Sequence, residues 1–137
     1  MRKRILCTLL ALGLLLAMLP VTAAAAAGNT LDLSKGNIFI FENYYVQTTD
    51  KLSVEEADKR PHVQHQGAYY ITGTGKLDYY ISVSGSCDMT IDSLQIRKTT
   101  ASAIVVNEGS TLNLRVVGEN SLVSTRLTGI YVPESAT

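Results

Sequence analysis

The sequence predicts an all-β chain wound as a parallel β-helix, a β-solenoid, on three observations. A hydrophobic phrase recurs at a spacing in the twenties. Ile81 and Val83, then Met89 and Ile91, return 23 positions later as Ile104 and Val106, then Leu112 and Leu114, and after a further 26 positions Ile130 and Val132 begin it again. Within each phrase the apolar residues stand two apart, the period of a strand whose side chains alternate between faces. The stretches between are rich in Gly, Asn, Ser and Thr, which favour corners over helices. A repeat of this kind is one coil stacked on the last, with hydrogen bonds running from coil to coil.

Residues 1–27 read as an export signal. Arg2, Lys3 and Arg4 give a positive start, residues 5–19 an apolar stretch, and residues 20–27 a small-residue end with A-x-A cleavage options, the cut falling at Ala25 to Ala27. The apolar stretch has about 15 residues, short of the ~20 that span a bilayer. The mature protein is therefore expected to be secreted or held at the cell surface, with no membrane segment of its own. Without the signal, nine basic residues face twelve acidic ones, a net of −3. That balance has no footprint for nucleic acid or anionic lipid. Leu19-Pro20-Val21-Thr22-Ala23 has the look of a wall-sorting pentapeptide, but it lies inside the export signal and carries no anchoring role.

The remaining residues, 28–137, make one β-helix domain. Residues 28–41 form N-terminal strands or a cap: Leu31, Leu33, Ile38 and Ile40 alternate around a Lys35-Gly36-Asn37 turn. Residues 42–66 are a polar insertion. In it Ser53-Val54-Glu55-Glu56 matches a capping box, so a short helix starts there and ends before Pro61. Residues 67–137 hold the coils, each with three short strands; in the best one these carry Ile104/Val106, Leu112/Leu114 and Leu122/Val123. A leucine-rich repeat of similar period is excluded, because Gly109 and Val117 occupy positions where its phrase needs Leu and Asn.

The spacing sets a register. Ile81, Ile104 and Ile130 should form one inward ladder, and Val83, Val106 and Val132 its neighbour. An offset of 23 carried along the coil puts Met89 against Leu112, Ile91 against Leu114, and Thr111 and Arg115 beneath Asp88 and Asp92. Cys87 shares the inward parity of Met89 and Ile91. With Cys7 in the signal it has no disulfide partner, so it reads as a small buried hydrophobe.

These residues also resemble a family. The phrases Leu31-Asp32-Leu33-Ser34-Lys35-Gly36-Asn37-Ile38, Tyr70-Ile71-Thr72-Gly73-Thr74-Gly75, Gly118-Glu119-Asn120-Ser121-Leu122 and Gly129-Ile130-Tyr131-Val132-Pro133-Glu134-Ser135-Ala136-Thr137 resemble those of large secreted right-handed parallel β-helix surface proteins of Gram-positive bacteria, of the carbohydrate-binding-domain-containing type. The resemblance implies right-handed coiling and work at a surface, by glycan binding or attachment. In that family further coils follow the Gly-Ile-Tyr-Val-Pro phrase, so the chain is expected to be an incomplete, N-terminal fragment. The resemblance supplies no binding residues.

Three functions compete. Catalysis, as in polysaccharide lyases and hydrolases built on this fold, needs carboxylates converging on a calcium ion or facing each other across a cleft. Asp88 and Asp92 flank one strand, but under an offset of 23 no acid lies on the next coil, so no catalytic residue is assigned. Nor is a metal or cofactor implied: His62 and His65 stand three apart after Pro61 without a third ligand. Glycan binding is the second function, and tyrosine is its material. Seven of nine aromatics are Tyr and there is no Trp; a Tyr ring stacks on the apolar face of a sugar and its hydroxyl adds a hydrogen bond. Tyr131, Tyr80 and Tyr70 are the candidates for ligand contact, with glycan or cell-surface polysaccharide as partner. The third is a passive structural stalk, to which outward Ser82, Thr90 and Asn113 are equally suited. In all three the edge at residues 130–137 is a template for edge-to-edge self-association.

Overall fold

The structure, a computed structural model, describes residues 30–98 and 100–137, with Lys98 described by its backbone alone. The export-signal reading of residues 1–27 lies outside the described residues. Along the chain run β1 (Thr30–Asp32), a single 3-10 turn (Leu33–Lys35), β2 (Asn37–Ile40), β3 (Tyr44–Thr48), helix α1 (Val54–Asp58), β4 (Val63–Gln64), β5 (Tyr69–Thr72), β6 (Ile81–Val83), β7 (Ser86–Asp92), β8 (Gln95–Lys98), β9 (Ile104–Val106), β10 (Thr111–Val117), β11 (Ser121–Ser124) and β12 (Ile130–Tyr131). The described residues are all-β apart from α1 and the 3-10 turn. No helix of the described residues is long and apolar enough to cross a membrane.

The strands form three sheets. β1, β5, β7 and β10 make a four-stranded sheet in that order, β8 and β11 a two-stranded one, and β12-β9-β6-β2-β3-β4 a six-stranded one. Every pair in the first two is parallel, as are β12-β9, β9-β6 and β6-β2; only β3 and β4 run antiparallel to their neighbours. The phrases recognised in the sequence are thus paired strand by strand.

Ile81 lies opposite Ile104 and Ile104 opposite Ile130, as the spacing predicts, and Ile38 extends the column at its other end. Val83 pairs with Val106, with Ile40 beyond it. Val132 does not join them. β12 stops at Tyr131, the next residue but one is Pro133, which has no N–H for a further rung, and Val132 is 48% exposed.

On the second strand of the phrase the register differs from expectation. Cys87 lies opposite Leu112, Met89 opposite Leu114 and Ile91 opposite Val116, an offset of 25. Asp88 therefore neighbours Asn113, Arg115 neighbours Thr90, and Asp92 neighbours Val117 in place of Arg115. The cause is the corner. Two residues, 84–85, join β6 to β7, whereas four, 107–110, join β9 to β10. The longer corner folds as a turn closed by Ser110 N–H on the Asn107 carbonyl at 3.1 Å, with Gly109 at φ 69°. Asn107 also donates through Nδ2 to Ser82 Oγ, the Val83 carbonyl and Ser84 Oγ, which ties the long corner to the short one beneath it.

Residues 42–66 are more than a helical excursion. The capping box is present: Glu56 N–H donates to Ser53 Oγ at 3.2 Å, and Ser53 N–H donates to the Glu56 carboxylate at 2.8 Å. Around α1, β3 pairs antiparallel with β2, and β4 with β3. The reading missed both strands because their alternation is masked by polar and aromatic residues. Gly36 lets the chain enter β2 at φ 141°, where an added Cβ would stand 2.5 Å from the Thr48 carbonyl oxygen of β3. The insertion brings its own small core. Phe39, Val46 and Ala57 are buried together, with Phe41, Leu52 and Tyr80 against them. The main core holds Leu31, Leu33, Ile38, Ile40, Ile71, Ile81, Val83, Met89, Ile91, Leu94, Ile96 and Ile104, with Cys87 buried among them as expected.

Candidate functional site

Strand alternation and the 25-residue offset together build one polar face. Cys87, Met89 and Ile91 of β7 turn into the core, so Asp88, Thr90 and Asp92 turn out. The register then sets Asn113 of β10 beside Asp88, and places Tyr70 of β5 and Arg115 of β10 on either side of Thr90. With Thr30 opposite Tyr70, a row Thr30, Tyr70, Thr90, Arg115 crosses the four-stranded sheet, each step about 4.8 Å. Ala68, Asp88, Thr90, Asn113 and Arg115 line a shallow groove of about 500 Å³ on this face, its floor completed by Met89, Leu112 and Leu114.

The polar groups of the face hold one another in place. The Tyr70 hydroxyl donates to the Asp92 carboxylate on the neighbouring strand, two residues on from Thr90, which ties the half-buried ring to β7. Ser93 Oγ donates to the other oxygen of Asp92 at 2.9 Å. Those two bonds, Tyr70 first, hold the Asp92 carboxyl below the usual aspartate range, and the same contact raises the Tyr70 phenol above its usual value. Asn113 Nδ2 donates to Asp88 at 2.8 Å.

The three tyrosines expected to contact ligand lie apart. Tyr70 is on the face just described. Tyr80 is half-buried in the small core, edge-on to Phe39 with ring centroids 5.5 Å apart, and its hydroxyl donates to the Leu52 carbonyl at 3.1 Å. One side of it borders a cleft of about 290 Å³ lined by Lys51, Leu52, Asp78, Thr100, Ala101 and Val105. Tyr131, 50% exposed, stands on β12 opposite Val105, at the far edge of the six-stranded sheet from Phe39 and Tyr80. On β5 Tyr69 is buried and Tyr70 half-buried on the opposite side; on β3 Tyr45 packs against the main core while Tyr44 stacks on Phe41, and Tyr79 and Tyr80 precede β6.

The histidine pair does not converge. His62 lies tilted against Tyr44 with ring centroids 4.3 Å apart, while His65, buried, stacks on Tyr69 with centroids 3.9 Å apart and bonds the Gly67 carbonyl through Nε2 at 3.0 Å. Among the described residues no three His, Cys, Asp or Glu side chains are gathered around a point where a metal ion would sit. The Cys87 thiol, pushed up to about 12 by burial, is held as the neutral form.

Arg115, Asn113 and Ala68 are the residues of this face that the sequence reading did not assign. The signal was present in corner length. A four-residue link containing Asn107 and Gly109, against a two-residue link at 84–85, shifts the following strand by two and carries Asn113 to Asp88. The assembled face offers an aromatic plane, hydroxyls, a primary amide, carboxylates and a guanidinium on a rigid sheet. These are groups that bind a polyhydroxylated ligand by stacking and hydrogen bonds. Compared with known protein families, with curated proteins and with solved structures, the chain matches none.

Proposed function

We propose that this chain is an exported, non-catalytic surface module whose three sheets are the successive faces of a right-handed parallel β-helix, and that it binds glycan on the outer face of the four-stranded sheet. The β-helix reading is supported by the paired phrases: β6, β7 and β8 each carry the counterpart strand β9, β10 and β11 alongside, at offsets of 23, 25 and 26. Handedness, export and a role at the surface come from the resemblance and the signal at residues 1–27.

The observation that carries the glycan reading is Tyr70 tethered to Asp92 amid Thr90, Asp88 and Asn113. A ring tethered through its hydroxyl loses less entropy than a free one when a sugar stacks on it. A glycan array on the purified protein, followed by calorimetry on Tyr70→Ala, tests this reading. The variant is expected to weaken binding about tenfold or more, the loss of one stacking and one hydrogen-bonding group. Retained affinity would remove this face from the account. Non-catalysis is supported by the occupation of both acids: Asp88 and Asp92 sit on one strand, each accepting from a neighbour, instead of facing each other across a cleft.

A passive stalk is the second reading, favoured by Tyr80, which packs as core, and by the distance of Tyr131 from Tyr70. It differs in predicting no rise in melting temperature with any glycan. Under both readings the C-terminal edge recruits another strand. β10, β11 and β12 are each outermost in their sheets. Thr137 already lays one parallel rung on β10: its N–H donates to the Ser110 carbonyl at 3.0 Å and its carbonyl accepts from Leu112 N–H at 2.7 Å.

A further inference from the structure

We propose that Arg115 makes the Tyr70 face selective for glycans carrying a single carboxylate, such as one hexuronic acid unit in an otherwise neutral chain; this rests on the glycan reading above. Three charged side chains stand on this part of the sheet, and two are engaged. Asp88 accepts from Asn113 at 2.8 Å, and Asp92 accepts from the Tyr70 hydroxyl and, at 2.9 Å, from Ser93 Oγ. Arg115, exposed at the groove, makes no hydrogen bond or ion pair among the described residues. Its register neighbour Thr90 is neutral, and Asp88 and Asp92 sit two residues either way along β7, at diagonal positions about 7–8 Å off. Neither carboxylate forms an ion pair with the guanidinium among the described residues.

A guanidinium with free, fork-shaped donors matches a carboxylate, which accepts two parallel bonds. Tyr70 and Arg115 are two strand steps apart, roughly 10 Å, room for a sugar ring stacked on Tyr70 whose carboxyl arm reaches Arg115. Densely charged polyanions are disfavoured, because two carboxylates flank the one cation and repel a second anionic group. A neutral glycan still stacks on Tyr70 but leaves the guanidinium to water.

The test titrates the purified protein, by calorimetry, with a neutral β-1,4-linked glucose oligosaccharide and with the same oligosaccharide bearing one glucuronic acid unit. The acidic form is expected to bind about tenfold tighter. Arg115→Ala should erase that preference without changing the melting temperature, since the side chain is exposed, while Arg115→Lys should keep part of it. Tyr70→Ala should weaken both ligands alike. Equal affinity for the two, or a preference that survives Arg115→Ala, overturns carboxylate selection and leaves the glycan reading standing. Binding of neither ligand, with no hit on the glycan array, overturns both.

Discussion

At one end of the sheets the apolar columns begin on residues already sealed from water; at the other they run out into it. Leu31, 6% exposed, leads through Ile71 and Ile91 to Val116, 59% exposed, and Ile38 leads through Ile81 and Ile104 to half-buried Ile130. The closed end is made by residues 42–66. β3 pairs antiparallel with β2, Gln47 Nε2 donates to the Asp32 carbonyl at 2.7 Å, and Tyr45 packs on the main core. At the open end, among the described residues, the outer edge of β10 is met by the Thr137 rung alone. At the closed end an antiparallel strand with its own core, on Phe39, Val46 and Ala57, presents an edge unlike the parallel ones inside. The parallel edge of β10 is the outermost of its sheet, and it is where the proposed recruitment of a further strand would take place.

That comparison breaks first, if it breaks, on core deletions. Ile38→Ala at the closed end removes a fully buried side chain and should cost about 2–5 kcal/mol in urea unfolding, whereas Ile130→Ala at the open end should cost about 1. Equal losses would mean that the open end is covered in solution. Alkaline pH sharpens the picture of the interior. Burial raises the Cys87 thiol from an ordinary 9.0 to about 12, so above pH 9 the unfolded chain gives up a proton that the folded chain keeps. Stability should therefore fall as pH rises from 9 toward 12, and Cys87→Ala should remove the first part of that fall. Tyr69 and Tyr80, both likewise raised by burial, sustain the rest.

The open end should also show itself in assembly. Sedimentation velocity is expected to find concentration-dependent association, and Val116→Lys, a charge on the exposed rung of β10, should weaken it about tenfold. A strictly monomeric protein at high concentration would count against the edge as a template. The smallest effect is at the cap: Ser53→Ala removes the acceptor for Glu56 N–H and should cost about 1 kcal/mol, read as a slight fall in melting temperature.

The alternating apolar pairs, the Gly- and Asn-rich corners and the Ser53 to Glu56 box were all legible, because each is a local rule in which a few neighbouring residues decide their own conformation. The column Ile81, Ile104, Ile130 followed from spacing alone. What escaped reading depends on lengths that accumulate. Two extra residues at 107–110 moved Arg115 from Asp92 to Thr90 and brought Asn113 to Asp88, and a uniform offset carried past that corner lost the register. Tyr70, Tyr80 and Tyr131 look alike in sequence, yet one lies on an open face, one in a satellite core and one on a terminal strand.

Short strands at a period in the twenties with an apolar interior were readable from the residues alone, since side-chain alternation and corner chemistry act within a few residues. Which outward groups share a face, and which end of the core is covered, emerged from the folded chain. Those depend on how far each strand slides against a neighbour some two dozen residues away, and on where residues 42–66 fold back.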